Sequence, residues 1–373
     1  MDQTLPTTAA FDIASARLTI DTGAIAANWT RLAGLAAGAE TGAVLKADAY
    51  GLGAEPVARA LRRAGCQTYF VATVPEGVEL RTVLPEARIF VLSGVWTGWE
   101  TALAAADLIP VLASGEQLAT FRAMGSAQPF ALNFDTGMNR LGFDPTEAGA
   151  LAASGEKPVL VLSHLVCSDE RDHALNRKQR ESFQHVRRAF AGVESSLASS
   201  GGIFLGADYH CELTRPGIAL YGGAAISGEP NPMRPVVKAE ARILQIRDAE
   251  AGEFVSYGAS HRLTRDSRLA IVGAGYADGW HRALSGSGVP LRQARQPGGH
   301  GIVGGYLVPV LGRITMDLAT FDVTDVPAGA VREGDYVSLF GDGISLDEAA
   351  YSAGTISYEL LTSLGRRYER RYV

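Results

Sequence analysis

The sequence is poor in several features that would point directly to a function. Its 373 residues include only three cysteines, Cys66, Cys167 and Cys211. They are too few and too scattered for a disulfide framework or a zinc site, so no metal is expected. No apolar run approaches the length of a membrane-crossing helix, which argues against an integral membrane protein. Residues 1–16 lack a basic start and a sustained apolar stretch, so no secretory signal is expected there. Charge of one sign is also missing, since 34 Lys and Arg against 40 Asp and Glu give a net −6. Such a balance provides no global attraction for nucleic acid or an anionic membrane. The 43 glycines show no collagen-like period, and there is no internal repeat or low-complexity tract. No strand, Gly-x-Gly-x-x-Gly and helix unit is present, which weakens a dinucleotide-binding reading.

What remains is a chain with ample material for a large core. Hydrophobic residues make up 47% and charged residues 20%. That composition predicts an ordered, cytoplasmic globular protein, and the length predicts more than one domain. From Arg17 onward, short apolar runs alternate with helical patterns. The runs Thr41–Lys46, Thr68–Thr73, Arg88–Ser93, Ile109–Ala113, Phe130–Phe134, Pro158–His164 and Ile203–Leu205 have strand length and Gly, Pro or Asp boundaries. Ala54–Ala64 and His173–Ala191 place apolar residues at helical spacing. This alternation predicts a parallel α/β architecture, and the number of units favours a (β/α)8 barrel over a doubly wound sheet.

The pattern changes at Asn231–Pro235, which reads as a linker. Beyond it the runs Ala239–Ile246, Arg268–Ala274, Val308–Leu311, Thr320–Val323 and Tyr336–Phe340 predict a smaller, mostly-β domain. Asp347–Leu364 returns to helical spacing. The expected division is residues 1–235 for the barrel and 236–373 for the β-domain.

The most informative segment is Ala43-Val-Leu-Lys46-Ala-Asp48-Ala-Tyr50-Gly51-Leu-Gly53. It predicts a lysine at the C-terminal end of a barrel strand, where barrel active sites form. Burial there lowers an amine's pKa and makes it nucleophilic. The string resembles the cofactor-lysine motif of alanine racemases, which are fold-type III pyridoxal phosphate enzymes. Further blocks resemble the same family and follow in its order. They are Asp135-Thr-Gly-Met-Asn-Arg140-Leu-Gly142, Ser163-His164-Leu, Ala198-Ser-Ser200-Gly-Gly202, Arg215-Pro-Gly217-Ile218-Ala-Leu-Tyr221, Gly275-Tyr276-Ala-Asp278-Gly279, Gly312-Arg-Ile-Thr-Met316-Asp317 and Thr355-Ile-Ser-Tyr358-Glu359.

The resemblance implies a role for each block. Lys46 would bind pyridoxal 5'-phosphate through its amine and serve as one of two acid/base groups. Tyr276 would be the other, on the opposite face of the substrate. A tyrosine is a poor base at its ordinary pKa of about 10, so His164 and Arg215 would support it in a chain. Arg215 would face the cofactor's ring nitrogen, and a guanidinium does not give up its proton to that nitrogen. Related decarboxylases place a carboxylate there. Tyr50, His164, Ser200, Gly217, Ile218 and Tyr358 would complete the cofactor site. Arg140 and the backbone N–H of Met316 would hold the substrate carboxylate. Asp317 reads as a cap or ion-pair partner. Tyr276 and Met316 would come from a partner subunit, which implies a homodimer with shared active sites.

Three positions depart from the family pattern. Asn133 stands where many members have a carbamylated lysine, and a bound anion could take that negative charge. Ser199 replaces an Asn, and Thr315 replaces a Cys. The activity implied is interconversion of L- and D-alanine, supplying D-alanine for peptidoglycan. A racemase of serine or several amino acids is the nearest alternative. A non-catalytic pyridoxal phosphate carrier is less consistent with Tyr276 and Met316.

Overall fold

The computed structural model describes residues 11–125, 128–289 and 298–373. The chain forms two compact units. One is Gly23–Arg234, and the other joins Met1–Thr22 to Pro235–Val373.

The first unit is a closed parallel barrel. Its strands are Glu40–Thr41 with Ala43–Val44, then Thr68–Val71, Arg88–Val91, Ile109–Leu112, Ala131–Asn133, Leu160–Leu162, Glu194–Ser196 and Leu213–Thr214. Neighbouring strands pair in parallel from the first to the seventh. The eighth closes the ring. Its Leu213 and Thr214 pair with Glu40 and Thr41 on one side, and Arg215 N–H donates to Ala198 on the other at 2.9 Å. Gly42 N–H donates to Thr214 at 2.9 Å and Val44 N–H to Pro216 at 3.0 Å, which continues the seam. The strand residues are buried almost throughout. Branched and aromatic residues occupy the strands because a strand in a closed, helix-covered barrel is apolar on both faces.

The structure corrects one expected strand and supplies two that were not expected. Ile203–Leu205 is not a strand, because Ile203 and Phe204 end the short helix Ser200–Phe204. The late strands are Glu194–Ser196 and Leu213–Thr214. The helices Ala54–Ala64 and Ala174–Ala189 lie where their spacing places them.

The second unit is built on one long strand, Val237–Ala249. Its first half pairs with Ala16–Ile20 and with Tyr336–Phe340, and its second half with Ser267–Val272. Ala16–Ile20, counted with the barrel in the sequence reading, therefore belongs to this sheet. It also pairs in parallel with Glu369–Tyr372 near the end of the chain. The stretch expected to be helical, Asp347–Leu364, is covered by two helices, Leu346–Ser352 and Ser357–Thr362, the first of which starts one residue earlier. Among the described residues no helix is long and apolar enough to cross a membrane.

Candidate active site

The C-terminal ends of the barrel strands carry the predicted barrel residues. Lys46 follows Val44 of the first strand, and Asn133 ends the fifth. Ser163 and His164 follow the sixth, Ser200 the seventh, and Arg215 the eighth. This common end is where loop residues of parallel barrels converge.

The turn after Lys46 has an uncommon backbone. Ala47, Asp48, Ala49 and Tyr50 have φ of 53°, 54°, 52° and 58°. They make a left-handed turn, which costs about 1–2 kcal/mol per non-glycine residue. Fixed contacts offset that cost. Ala47 N–H donates to Glu76 Oε1 at 2.8 Å. The other Glu76 oxygen accepts from Ala72 at 2.7 Å and Thr73 at 3.2 Å. Asp48 caps the next helix by accepting from Ala54 N–H at 2.7 Å. One carboxylate thus joins the loops after the first and second strands. Glu76 was missed in the sequence reading, although Thr73-Val-Pro-Glu76 spells a capping box.

Tyr50 is placed by the same turn. Its ring lies 4.7 Å from that of Tyr221, whose hydroxyl donates to Val44 O at 2.8 Å. A Cβ on Gly217 would overlap the Tyr50 hydroxyl, so only glycine permits this approach. Gly217 and Ala219 N–H both donate to Ser200 Oγ, at 2.9 and 3.2 Å. Ser200 opens a short helix whose first turn contains buried Gly201 and Gly202. First-turn N–H groups have no acceptor inside their own helix. Ile218 is wholly buried, and no described residue accepts from its N–H. An orphaned buried N–H is uncommon.

Arg215 is 5% exposed, and no carboxylate pairs with it among the described residues. Its guanidinium donates to Ser163 O at 2.6 Å and to Ser196 Oγ. Burial pulls its pKa down to about 10, which still leaves it cationic at neutral pH. His164 feels that charge. Burial first, then Arg215, Arg140 and Lys46, push the ring from 6.5 down to about 3. The Lys46 amine is also lowered, by burial and then by Arg140, with Glu76 opposing. Lys46, Arg140, His164 and Arg215 therefore form one electrostatic group.

The Arg140 turn is closed by Asp135. Its carboxylate accepts from Gly137 at 2.8 Å and from Met138 and Arg140 N–H at 2.7 Å each. Burial alone would raise Asp135, yet these donors hold it below the usual carboxylate range. The Arg140 side chain is exposed and makes no ion pair among the described residues. Asn133 Nδ2 donates to Leu141 O at 2.6 Å.

In the second unit, Tyr276 and Met316 are brought together by their backbones. Tyr276 N–H donates to Thr315 O and Ala277 N–H to Met316 O, each at 3.0 Å. Tyr276 is 43% and Met316 53% exposed. No described residue accepts from the Met316 N–H. Asp317 pairs with Arg367 at 2.7 Å. Tyr358 lies on the helix Ser357–Thr362.

The barrel residues fit a phosphorylated aldehyde. They supply an amine of lowered basicity, a buried guanidinium and an orphaned buried N–H beside a serine hydroxyl. The donor set is cationic, as an anionic cofactor requires.

Comparison with known proteins agrees with this donor set. The family models described as alanine racemase, N-terminal domain, and alanine racemase, C-terminal domain, match residues 20–225 and 236–372. The biosynthetic alanine racemase of Agrobacterium fabrum is 56% identical, covering 98% of this chain and 96% of its own. The alanine racemase of Rhizobium meliloti is 54% identical, covering 96% and 97%. A solved alanine racemase from Bartonella henselae, with covalently bound pyridoxal phosphate, is 38% identical with a TM-score of 0.88. That match covers 96% of this chain and 100% of the solved one.

The His164 environment generates a pH prediction. A ring held neutral when folded, but free to protonate near 6.5 when unfolded, stabilises the fold above pH 6.5. That stability is lost as pH falls from 6.5 towards 3, at about 1.4 kcal/mol per pH unit. Urea unfolding between pH 7 and 4.5 checks this. His164→Gln is expected to flatten the slope by about that amount, and an unchanged slope would contradict a neutral His164.

Proposed function

The chain belongs to the alanine racemase family, and on that premise we infer that it interconverts L-alanine and D-alanine with pyridoxal 5'-phosphate. It is an isomerase acting on an amino acid. The observation that carries this reading is the buried Arg215 cation beside His164, a ring that also feels Lys46, with no carboxylate partner for Arg215 among the described residues. A carboxylate at that position would stabilise a protonated ring nitrogen in the bound cofactor and favour other chemistry.

Pyridoxal phosphate, when bound, supplies an electron sink that acidifies the substrate Cα–H. The chain's own residues do the rest. Lys46 would hold the cofactor through its amine and, once substrate has displaced it, the freed amine would exchange a proton at Nζ. Its lowered basicity keeps a larger fraction unprotonated at neutral pH. The Tyr276 hydroxyl exchanges the proton on the other face of Cα. Inversion requires two such groups, because one group on one face returns the proton whence it came. His164 and Arg215 would support Tyr276, and Arg215, facing the cofactor's ring nitrogen, would disfavour its protonation. Ser200, Gly217, Ile218, Tyr50 and Tyr358 hold the phosphate, with the orphaned Ile218 N–H as support for this assignment. Arg140 and the Met316 N–H, which has no acceptor among the described residues, hold the substrate carboxylate.

Tyr276 and Met316 serve the barrel of a partner subunit, so the working enzyme is a homodimer with shared sites. Their exposure on the single chain supports this reading. The product D-alanine serves peptidoglycan synthesis in the cytoplasm. A relative named biosynthetic, at 56% identity, supports that role.

Tyr276→Phe tests the two-base assignment. The lysine-bound cofactor absorbance is expected to persist, while racemisation falls about 10²–10⁴-fold. The loss in kcat/KM must be equal in both directions, because enantiomers have equal free energy. Unchanged racemisation would remove Tyr276 from the mechanism. Asn133 carries a separate expectation, in which an anion such as chloride lies beside it and balances Arg140. Crystals grown in bromide should show an anomalous peak there, and none would contradict the site.

A further inference from the structure

The loops that carry Tyr276 and Met316 are joined by the side chain of Arg367, which lies outside both family motifs. Asp278, two residues after Tyr276, is 3% exposed. Its carboxylate accepts from Gly275 N–H at 2.8 Å. It also accepts from Arg367 Nε at 2.7 Å and Arg367 Nη2 at 2.9 Å. The third arm of the guanidinium, Nη1, donates to Asp317 Oδ1 at 2.7 Å. Asp317 directly follows Met316, and Arg367 Nη2 also lies 3.5 Å from Met316 O. Gly365 N–H donates to Asp278 O at 3.0 Å, so the segment bearing Arg367 is itself tied to the Tyr276 loop.

A buried carboxylate needs a charged, hydrogen-bonded partner. A lysine could supply the charge. Only the planar fork of arginine can hold one carboxylate with two donors while a third reaches a second. The loops have little room for adjustment, because a Cβ on Gly275 would overlap the carbonyls of Thr315 and Met316. The Arg367 side chain is about half exposed but its partner Asp278 is buried, so losing Arg367 leaves a buried carboxylate unpaired and costs stability. Its contribution is also geometric.

We infer that Arg367 is a positioning residue for racemisation, whose guanidinium, bridging Asp278 and Asp317, fixes the Tyr276 hydroxyl relative to the Met316 N–H. This rests on the roles given above to Tyr276 and Met316. A phenol and an N–H that grip one substrate must hold a fixed separation. A misplacement near 1 Å costs roughly a hundredfold in rate.

The test uses holoenzyme, with rates expressed per lysine-bound cofactor so that lost folding or loading drops out. Arg367→Met should lower kcat by roughly ten- to a hundredfold and raise KM several-fold. The α-deuterium isotope effect should rise from one enantiomer only, the one whose proton Tyr276 removes. Arg367→Lys should recover the thermal midpoint better than it recovers kcat. Asp317→Asn removes one arm at an exposed carboxylate, and should raise KM several-fold with the same one-sided isotope effect. A purely structural Arg367 would lower the thermal midpoint and leave rates per loaded site and both isotope effects unchanged. That result, with Tyr276→Phe still impaired, would overturn the inference about Arg367 alone. A fully active Tyr276→Phe would overturn the reading it rests on, and this inference with it. If Arg367→Met fails to fold, Asp317→Asn decides, and unchanged KM and isotope effects would overturn the proposal.

Discussion

A buried guanidinium with no carboxylate partner among the described residues sets the character of the barrel mouth. Arg215 is held by a backbone carbonyl from the end of the sixth strand and a serine hydroxyl from the seventh. Neither removes its charge. The cation therefore acts on everything near it. It helps hold His164 neutral, and it leaves the mouth receptive to an anion and unwelcoming to a second cation. A carboxylate here would neutralise that field. The choice of arginine thus links strand packing and local electrostatics in a single residue.

The two units divide the work according to what each backbone can do well. A closed barrel offers many loop ends at one face, so it can gather an amine, a guanidinium, a serine hydroxyl and free amides around one cofactor. The left-handed turn after Lys46 shows how tightly that gathering is controlled. Four consecutive non-glycine residues take a costly backbone conformation, and Glu76 and Asp48 hold it. The second unit presents fewer groups with equal control. Two loops share backbone hydrogen bonds, glycine contacts and one guanidinium, and they leave a phenol and an N–H exposed. Both units use the same device, a charged side chain bonded to two loops at once.

Much of the barrel is legible in the sequence because its strands are apolar on both faces. Arg88–Val91 and Ile109–Leu112 are such cases. Glu194–Ser196 and Leu213–Thr214 are not, being polar or only two residues long, and ring closure rather than local propensity makes them strands. The apolar Ile203–Leu205 therefore drew the strand assignment that belonged to its neighbours. Ala16–Ile20 has a readable strand pattern, yet nothing local says that it pairs with Val237–Ala249 and with Glu369–Tyr372. The site followed the same rule. Lys46, Arg140, His164 and Arg215 sit in recognisable strings. Glu76 and Arg367 act through partners 29 and 89 residues away, a separation that periodicity does not encode. Only the capping-box spacing hinted at Glu76.

On the function proposed above, a Lys46 barrel and a Tyr276 loop from different chains make one active site. Mixing two inactive variants tests it directly. Lys46→Ala and Tyr276→Phe chains are unfolded together, refolded and assayed with pyridoxal phosphate. Shared sites predict that each mixed dimer regains one intact site, restoring about a quarter of parental activity at equal mixing. Sites contained within single chains predict no restoration at all, and that result would contradict the account.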